Sequence, residues 1–341
     1  MKGLARSAVP VFDHLQRMTD NVALFEHAKE SSPREEHGYC VDDVARALVV
    51  VLRQPNADLG VVRLAQRYLD FVIDAVDSAG LVHNRHSARG SWTDQASMGD
   101  WWGRAVWALG TAVESARDAG MRVAALEAFN RCATQRSADL MPTVFAGLGA
   151  QAVLHVFPAD PVSLRLLNDV IERVGPPVDS PTWPWPEPRL RYSSGHVAEA
   201  LLYAGVATAD GNVIAHALTL LSFVLEQQTH GDHLSPTPVG GRGEGDERPA
   251  FDQQPIEVAA LADACAGAWD ITRDENWRLG VGLAWAWFCG ANDSNTQMFD
   301  LVSGGCFDGL EMSGPNLNQG AESTIAAIST AQHARRLGLL K

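Results

Sequence analysis

The chain has 341 residues, 46% apolar and 20% charged, with 27 Lys+Arg against 41 Asp+Glu and a formal charge of −14. Sequence-independent affinity for phosphate backbones or anionic lipid comes from Lys and Arg, so this balance excludes a nucleic-acid partner and argues against a membrane-surface role. No apolar stretch approaches the ~20 residues that cross a bilayer, so no membrane insertion is expected.

The five cysteines, Cys40, Cys132, Cys265, Cys289 and Cys306, are dispersed and form no C-x-x-C pair. That usage predicts reduced thiols in a cytoplasmic protein. The N-terminal residues lack the apolar core of a signal peptide, which agrees with that location.

Along the chain, strand signals are scarce and apolar residues recur at helical spacing. An amphipathic segment at about 10–19 comes first. The run Tyr39-Cys-Val-Asp-Asp-Val-Ala-Arg46-Ala-Leu then joins a polar loop to an apolar, Ala-rich helix. An amphipathic helix at about 58–76 follows. The pattern returns as Asp100-Trp-Trp-Gly-Arg104-Ala-Val-Trp-Ala-Leu, then an amphipathic helix at about 120–134. The 95 residues separating Arg104 from Glu199 leave room for a copy without a charged marker, Asp139-Leu-Met-Pro-Thr-Val-Phe-Ala-Gly-Leu, followed by a helix at about 162–175. The fourth copy is Tyr192-Ser-Ser-Gly-His-Val-Ala-Glu199-Ala-Leu, with a helix at about 210–228. The fifth is Asp252-Gln-Gln-Pro-Ile-Glu257-Val-Ala-Ala-Leu, with a helix at about 274–289, and the sixth is Asn318-Gln-Gly-Ala-Glu322-Ser-Thr-Ile-Ala-Ala.

Six repeats of this kind predict twelve helices that alternate between apolar-all-round and one-sided faces. The expected fold is all-α: an (α/α)6 toroid with six inner and six outer helices, built as one domain over residues 1–341. An open solenoid would need polar capping repeats at its ends, which the sequence lacks.

The charged markers Arg46, Arg104, Glu199, Glu257 and Glu322 share a helix face with the residues three and four before them. In a closed ring these positions converge at one mouth. They bring together Asp42, Asp43, Asp100, Trp101, His196, Gln253, Gln254, Asn318 and Gln319, while nearby loops add Trp102 and Trp185. Carboxylates, amides, an imidazole and indole faces suit a neutral polyhydroxylated ligand. Cleavage of a glycosidic bond further needs one protonated and one ionised carboxyl group. Asp100, before Trp101-Trp102, is the expected acid, and Asp43, at a helix start that favours its anion, the expected base or nucleophile. Glu257 is the reserve candidate.

Competing readings are structural. Asp42, Asp252 and Asn318 also suit helix N-caps, and the markers could pair with one another as a buried network. No nucleotide, metal or nucleophile-elbow motif is present, so no metal and no cofactor are expected. The glycine-rich run Gly240-Gly-Arg-Gly-Glu-Gly245 reads as a flexible loop over the mouth.

The runs His37-Gly-Tyr-Cys-Val-Asp-Asp-Val-Ala-Arg46, Gly103-Arg-Ala-Val-Trp-Ala-Leu-Gly110, Phe251-Asp-Gln-Gln-Pro-Ile-Glu257 and Asn318-Gln-Gly-Ala-Glu-Ser323 resemble those of uncharacterised bacterial six-hairpin, glycosidase-like domains. Such domains occur alone or appended to glycosyltransferases. The resemblance implies an (α/α)6 fold, a carbohydrate context and a glycosyltransferase as partner. Ser193-Ser194 stand where relatives often carry Asp-Asn, which removes one carboxylate from the implied site.

The leading expectation is a glycoside hydrolase or a mechanistic relative acting on an oligosaccharide or glycoconjugate. Alternatives are a non-catalytic glycan-binding or scaffolding toroid and a sugar epimerase or isomerase. The last needs two histidines in the lumen, for which His37, His196 and His233 are the candidates.

Overall fold

The computed structural model describes residues 12–340. Its helices are, in order, α1 (Asp13–Arg17), α2 (Val41–Leu52), α3 (Leu59–Asp74), α4 (Asp100–Ser115), α5 (Ala119–Cys132) and α6 (Leu140–Val156). They continue as α7 (Pro161–Val174), α8 (Ser194–Ala207), α9 (Gly211–Gln227), α10 (Pro255–Thr272), α11 (Glu275–Phe288) and α12 (Ala321–Arg336). Neighbouring even-numbered helices pack in sequence from α2 to α12, and α12 packs back on α2, so the inner ring closes. Outside it, α3 lies on α2, α5 on α4, α7 on α6 and α8, α9 on α8, and α11 on α10 and α12. The short α1 packs on α12 and fills the last outer position. The expected (α/α)6 toroid is the fold. Part of the first expected helix, residues 10 and 11, lies outside the described residues.

Local sequence explains the outer helices. An aspartate stands at the N-cap of each from α3 to α11 and accepts a backbone N–H of the first turn. The pairs are Asp58 with Val61 (2.9 Å), Asp118 with Met121 (2.9 Å), Asp160 with Ser163 (2.7 Å), Asp210 with Asn212 (2.8 Å) and Asp274 with Asn276 (3.0 Å). Inner helices have no side-chain cap of their own. Other modules complete several of them. Asn84 accepts Val41 N–H (2.9 Å) and Asp42 N–H (3.3 Å) ahead of α2, and the Glu26 carbonyl accepts Ala321 N–H (3.0 Å) at α12. The expectation that Asp42 and Asn318 act as local N-caps is thereby corrected: Asp42 lies inside α2, and Asn318 Oδ1 accepts the N–H of Glu30 (3.0 Å).

Glycines set the closest helix approach. A methyl at Gly110 of α4 would overlap the Gly149 backbone of α6, and one at Gly149 would overlap the Val106 carbonyl. Backbone cannot rotate aside as a side chain can. Gly110→Ala is therefore expected to destabilise by about 1–3 kcal/mol, the usual range for overpacking. The denaturant midpoint should fall at unchanged slope.

No strand among the described residues exceeds three residues; all lie in loops. No helix of the described residues is long and apolar enough to cross a membrane.

Candidate active site at the N-terminal mouth of the ring

The inner helices bring three carboxylates of two modules onto one arginine. Arg46, 8% exposed, donates to Asp43 (2.7 Å), Asp42 (3.1 Å) and Glu322 (2.5 Å). Asp42 and Asp43 lie one helical turn before Arg46 on α2, whereas Glu322 reaches it from the first turn of α12. With Gln254, Asn84, Asp308 and Ser323 these groups line a cavity of about 280 Å³. A second cleft, of about 330 Å³, is lined by Asp100, Asp139, Trp185, Glu187 and Tyr192.

Arg104 bridges the two halves. Its guanidinium donates to the Tyr192 hydroxyl (2.6 Å), lies 3.5 Å from the Asp42 carboxylate and stacks 3.6 Å above the Phe145 ring. Phe145 belongs to the module without a charged marker, so that module contributes an aromatic face in place of a charge.

Behind this layer sits Glu257 of α10, 4% exposed. One carboxyl oxygen accepts the N–H of Ser193 (2.6 Å), which precedes α8 in a left-handed conformation (φ 61°). The other, Oε2, is buried without a partner. Burial, with Glu322 adding to it, pushes this carboxyl up to about 8. Burial thus favours the protonated form of this carboxyl, although the Ser193 and Ser194 backbone N–H groups act against it.

Asp43 departs from expectation. Burial, supported by Glu322, Asp42 and Glu26, raises its carboxyl well above the usual range, and Arg46 at 2.7 Å opposes that shift. Asp100 is also raised, by burial first and Asp42 second; the expected direction is found.

Other predicted residues are spent inside the fold. Gln253 is fully buried, donating to Asp293 (2.6 Å) and the Ala250 carbonyl (3.0 Å) and accepting from the Trp287 indole (3.3 Å). Gln319 is buried and accepts from Ser303 (2.5 Å). Trp101 donates to the Val82 carbonyl (2.9 Å), and Trp102, 1% exposed, belongs to the core. Trp185 is buried but forms part of a cleft wall. None of Trp101, Trp102, Gln253 or Gln319 lines either mouth cavity, and Glu257 too lies behind the cavity walls.

Below the mouth the lumen narrows to a free volume of about 30 Å³, lined by Arg104, Trp107 and His196 among others. This is room for little more than a water molecule. His196, 2% exposed, bonds Ser193 Oγ (2.9 Å) and Asp263 (3.2 Å), and burial lowers its imidazole to about 4. His333 reaches the same aspartate at 2.6 Å, as do Ser329 (2.9 Å) and Arg53 (3.2 Å). Arg53, together with its partners His196 and His333, holds Asp263 well below the usual range, while burial first and Asp263 next raise Glu199 to about 8. The histidines considered for the lumen are thus corrected: His37 packs edge-on to His27 at 5.0 Å between ring centres, and His233 lies in a hairpin. His333 joins His196 in their place. Sequence reading missed this lower layer, although its signal was present: Arg53 and Ser329 lie seven residues, two helical turns, beyond Arg46 and Glu322.

No family model matches the chain, and no curated protein matches it. Solved structures do resemble it. A sugar epimerase from a ruminal bacterium aligns with TM-score 0.70 at 12% identity over 94% of this chain and 95% of its own. Cellobiose 2-epimerase from Bacillus thermoamylovorans aligns with TM-score 0.69 at 13% identity, over 95% and 96%. The cellulase Cel9M of C. cellulolyticum, in complex with cellobiose, gives TM-score 0.67 at 7% identity, over 94% and 88%. At these identities the likeness establishes the (α/α)6 fold, a fold these sugar-processing enzymes share with the chain.

Proposed function

We propose that the chain, as one toroid domain, is a carbohydrate-active enzyme that cleaves a glycosidic bond of an oligosaccharide or glycoconjugate at the N-terminal mouth of the inner ring. The observation that carries this reading is the convergence of Asp42, Asp43 and Glu322 on Arg46 in a mouth cavity of about 280 Å³, with the buried Glu257 carboxyl, raised to about 8, behind it. Glu257 gives its proton to the leaving glycosidic oxygen as the anomeric C–O bond breaks. Water adds its hydroxyl to the anomeric carbon, and Glu322 takes the remaining proton. Asp42, Asp100 and Gln254 offer acceptors and donors to sugar hydroxyls, and Trp185 an apolar wall. Asp43, buried on Arg46, serves as a support for that arginine.

A second reading rests on His196 and His333, two imidazoles in one lumen. Both already bond Asp263, and only about 30 Å³ of free space reaches His196 from the mouth, which weighs against proton exchange at a sugar carbon there; His333 instead lines a cavity of about 460 Å³ at the opposite end of the ring. The deciding experiment incubates the full chain with a panel of oligosaccharides and, separately, with free mannose, glucose and cellobiose. Reducing-end release from an oligosaccharide supports the proposal. Interconversion of the free sugars without cleavage would overturn it in favour of the epimerase reading.

A further inference from the structure

Away from the mouth acids, two loops meet in a cluster that the glycosidic chemistry does not use. The hairpin joining α9 to α10 carries His230 and His233 across the tight turn at Gly231, and the loop after α11 carries Asp293. His230 Nδ1 and His233 Nε2 lie 3.3 and 3.0 Å from the same oxygen, Asp293 Oδ1. The three donor atoms lie within 4.8 Å of one another.

We propose that His230, His233 and Asp293 form a binding site for a divalent transition-metal ion of the zinc type. A tetrahedral ion with arms of about 2.0–2.1 Å sets its ligand atoms roughly 3.3 Å apart, and both imidazole–carboxylate separations match that edge. The remaining edge closes by a small turn of His230, which is 45% exposed and has room to move. Two imidazoles and one carboxylate select zinc and its first-row neighbours over calcium or magnesium, which prefer all-oxygen shells.

The surrounding groups fix the donors in place. Asp232 Oδ1 lies 3.3 Å from His233 Nδ1, so that nitrogen can keep its proton when an ion replaces the proton between Nε2 and Asp293. Asp293 is 2% exposed on its side chain, and Gln253 donates to its Oδ2 at 2.6 Å, leaving Oδ1 for the ion. Gln253 is itself pinned by backbone bonds to Leu310 in both directions, at 2.9 and 2.8 Å. This arrangement explains why Gln253 is buried away from the mouth. A bound ion would tie the hairpin, the loop after α11 and the start of α10 into one rim segment.

The test uses the full chain, stripped with chelator and titrated with Co2+ and then Zn2+. Expected are one equivalent of tetrahedral Co2+ by its visible absorption bands, displacement by Zn2+, and a melting temperature raised by Zn2+ and restored by EDTA. Asp232→Asn, at a fully exposed side chain, should weaken the ion by about 10–100-fold, the range for a lost outer-shell partner, with folding unchanged. His233→Ala should abolish the band. A wild-type protein that binds no stoichiometric Co2+ overturns the proposal, as does a band that persists in His233→Ala. Equal affinity in Asp232→Asn and wild type would remove the orienting role of Asp232.

Discussion

Glu257→Gln is expected to lower glycan turnover by ~100-fold or more, the lower range for a lost general acid, with substrate affinity nearly unchanged. The amide keeps the shape and can still accept the Ser193 N–H, but it has no proton to give. In the wild type, turnover should fall as pH rises through about 8, where Glu257 loses its proton. Asp43→Asn should reduce turnover far less, since Asp43 is a buried support of Arg46. A second readout needs no substrate. The folded chain keeps the Glu257 proton well above the ordinary value of 4.5, so below that value this group costs nothing. As pH rises from there towards about 8, the unfolded chain releases the proton first and stability declines. Glu257→Gln should flatten that decline, giving a gain in melting temperature at pH 8 and almost none at pH 4.5. Full turnover in Glu257→Gln, with an unchanged pH profile, would exclude this residue as the acid.

Arg46→Met should be the most damaging single change to stability, costing about 3–5 kcal/mol as expected when one member of a buried ion cluster is removed. Glu322 is 36% exposed on its side chain and can turn to water, so little of the cost arises there. Asp43 is 5% exposed on its side chain and cannot, so its carboxyl must be protonated or dragged out of the helix bundle. Because protonation relieves that burden, the loss should be smaller at pH 5 than at pH 8. Arg46→Met/Asp43→Leu, which removes both charges, should recover most of the stability while disturbing the mouth. Urea unfolding of the three proteins at both pH values measures each claim; a loss below about 1 kcal/mol in Arg46→Met would place the cluster with solvated surface pairs.

The site was legible where one module supplies its own geometry. The i−4 and i−3 spacing placed Asp42 and Asp43 on the Arg46 face of α2, and helix periodicity alone sufficed for that. It could not tell which neighbour completes the cluster, because Glu322 arrives from the other end of the chain. The same rule misplaced Gln253 and Gln319. Both precede their helices in loop, where the helical angle does not apply, and loop hydrogen bonds turned them inward.

Sequence by itself determined the ring's outer layer and its helix count. Asp58, Asp118, Asp160, Asp210 and Asp274 each stop one helix's fraying from three or fewer residues away, and apolar periodicity says which side faces inward. Both are local signals. Tertiary structure alone decided how the inner helices begin and what their first turns do. Asn84 caps α2, Glu26 caps α12 and a Glu257 carboxyl oxygen accepts the Ser193 N–H before α8, all across modules. It also decided protonation. Glu257 and Glu322 are the same residue type at comparable positions of adjacent helices, yet Glu257 is 4% exposed and desolvation raises it to about 8, whereas the Glu322 side chain is 36% exposed and bonds Arg46.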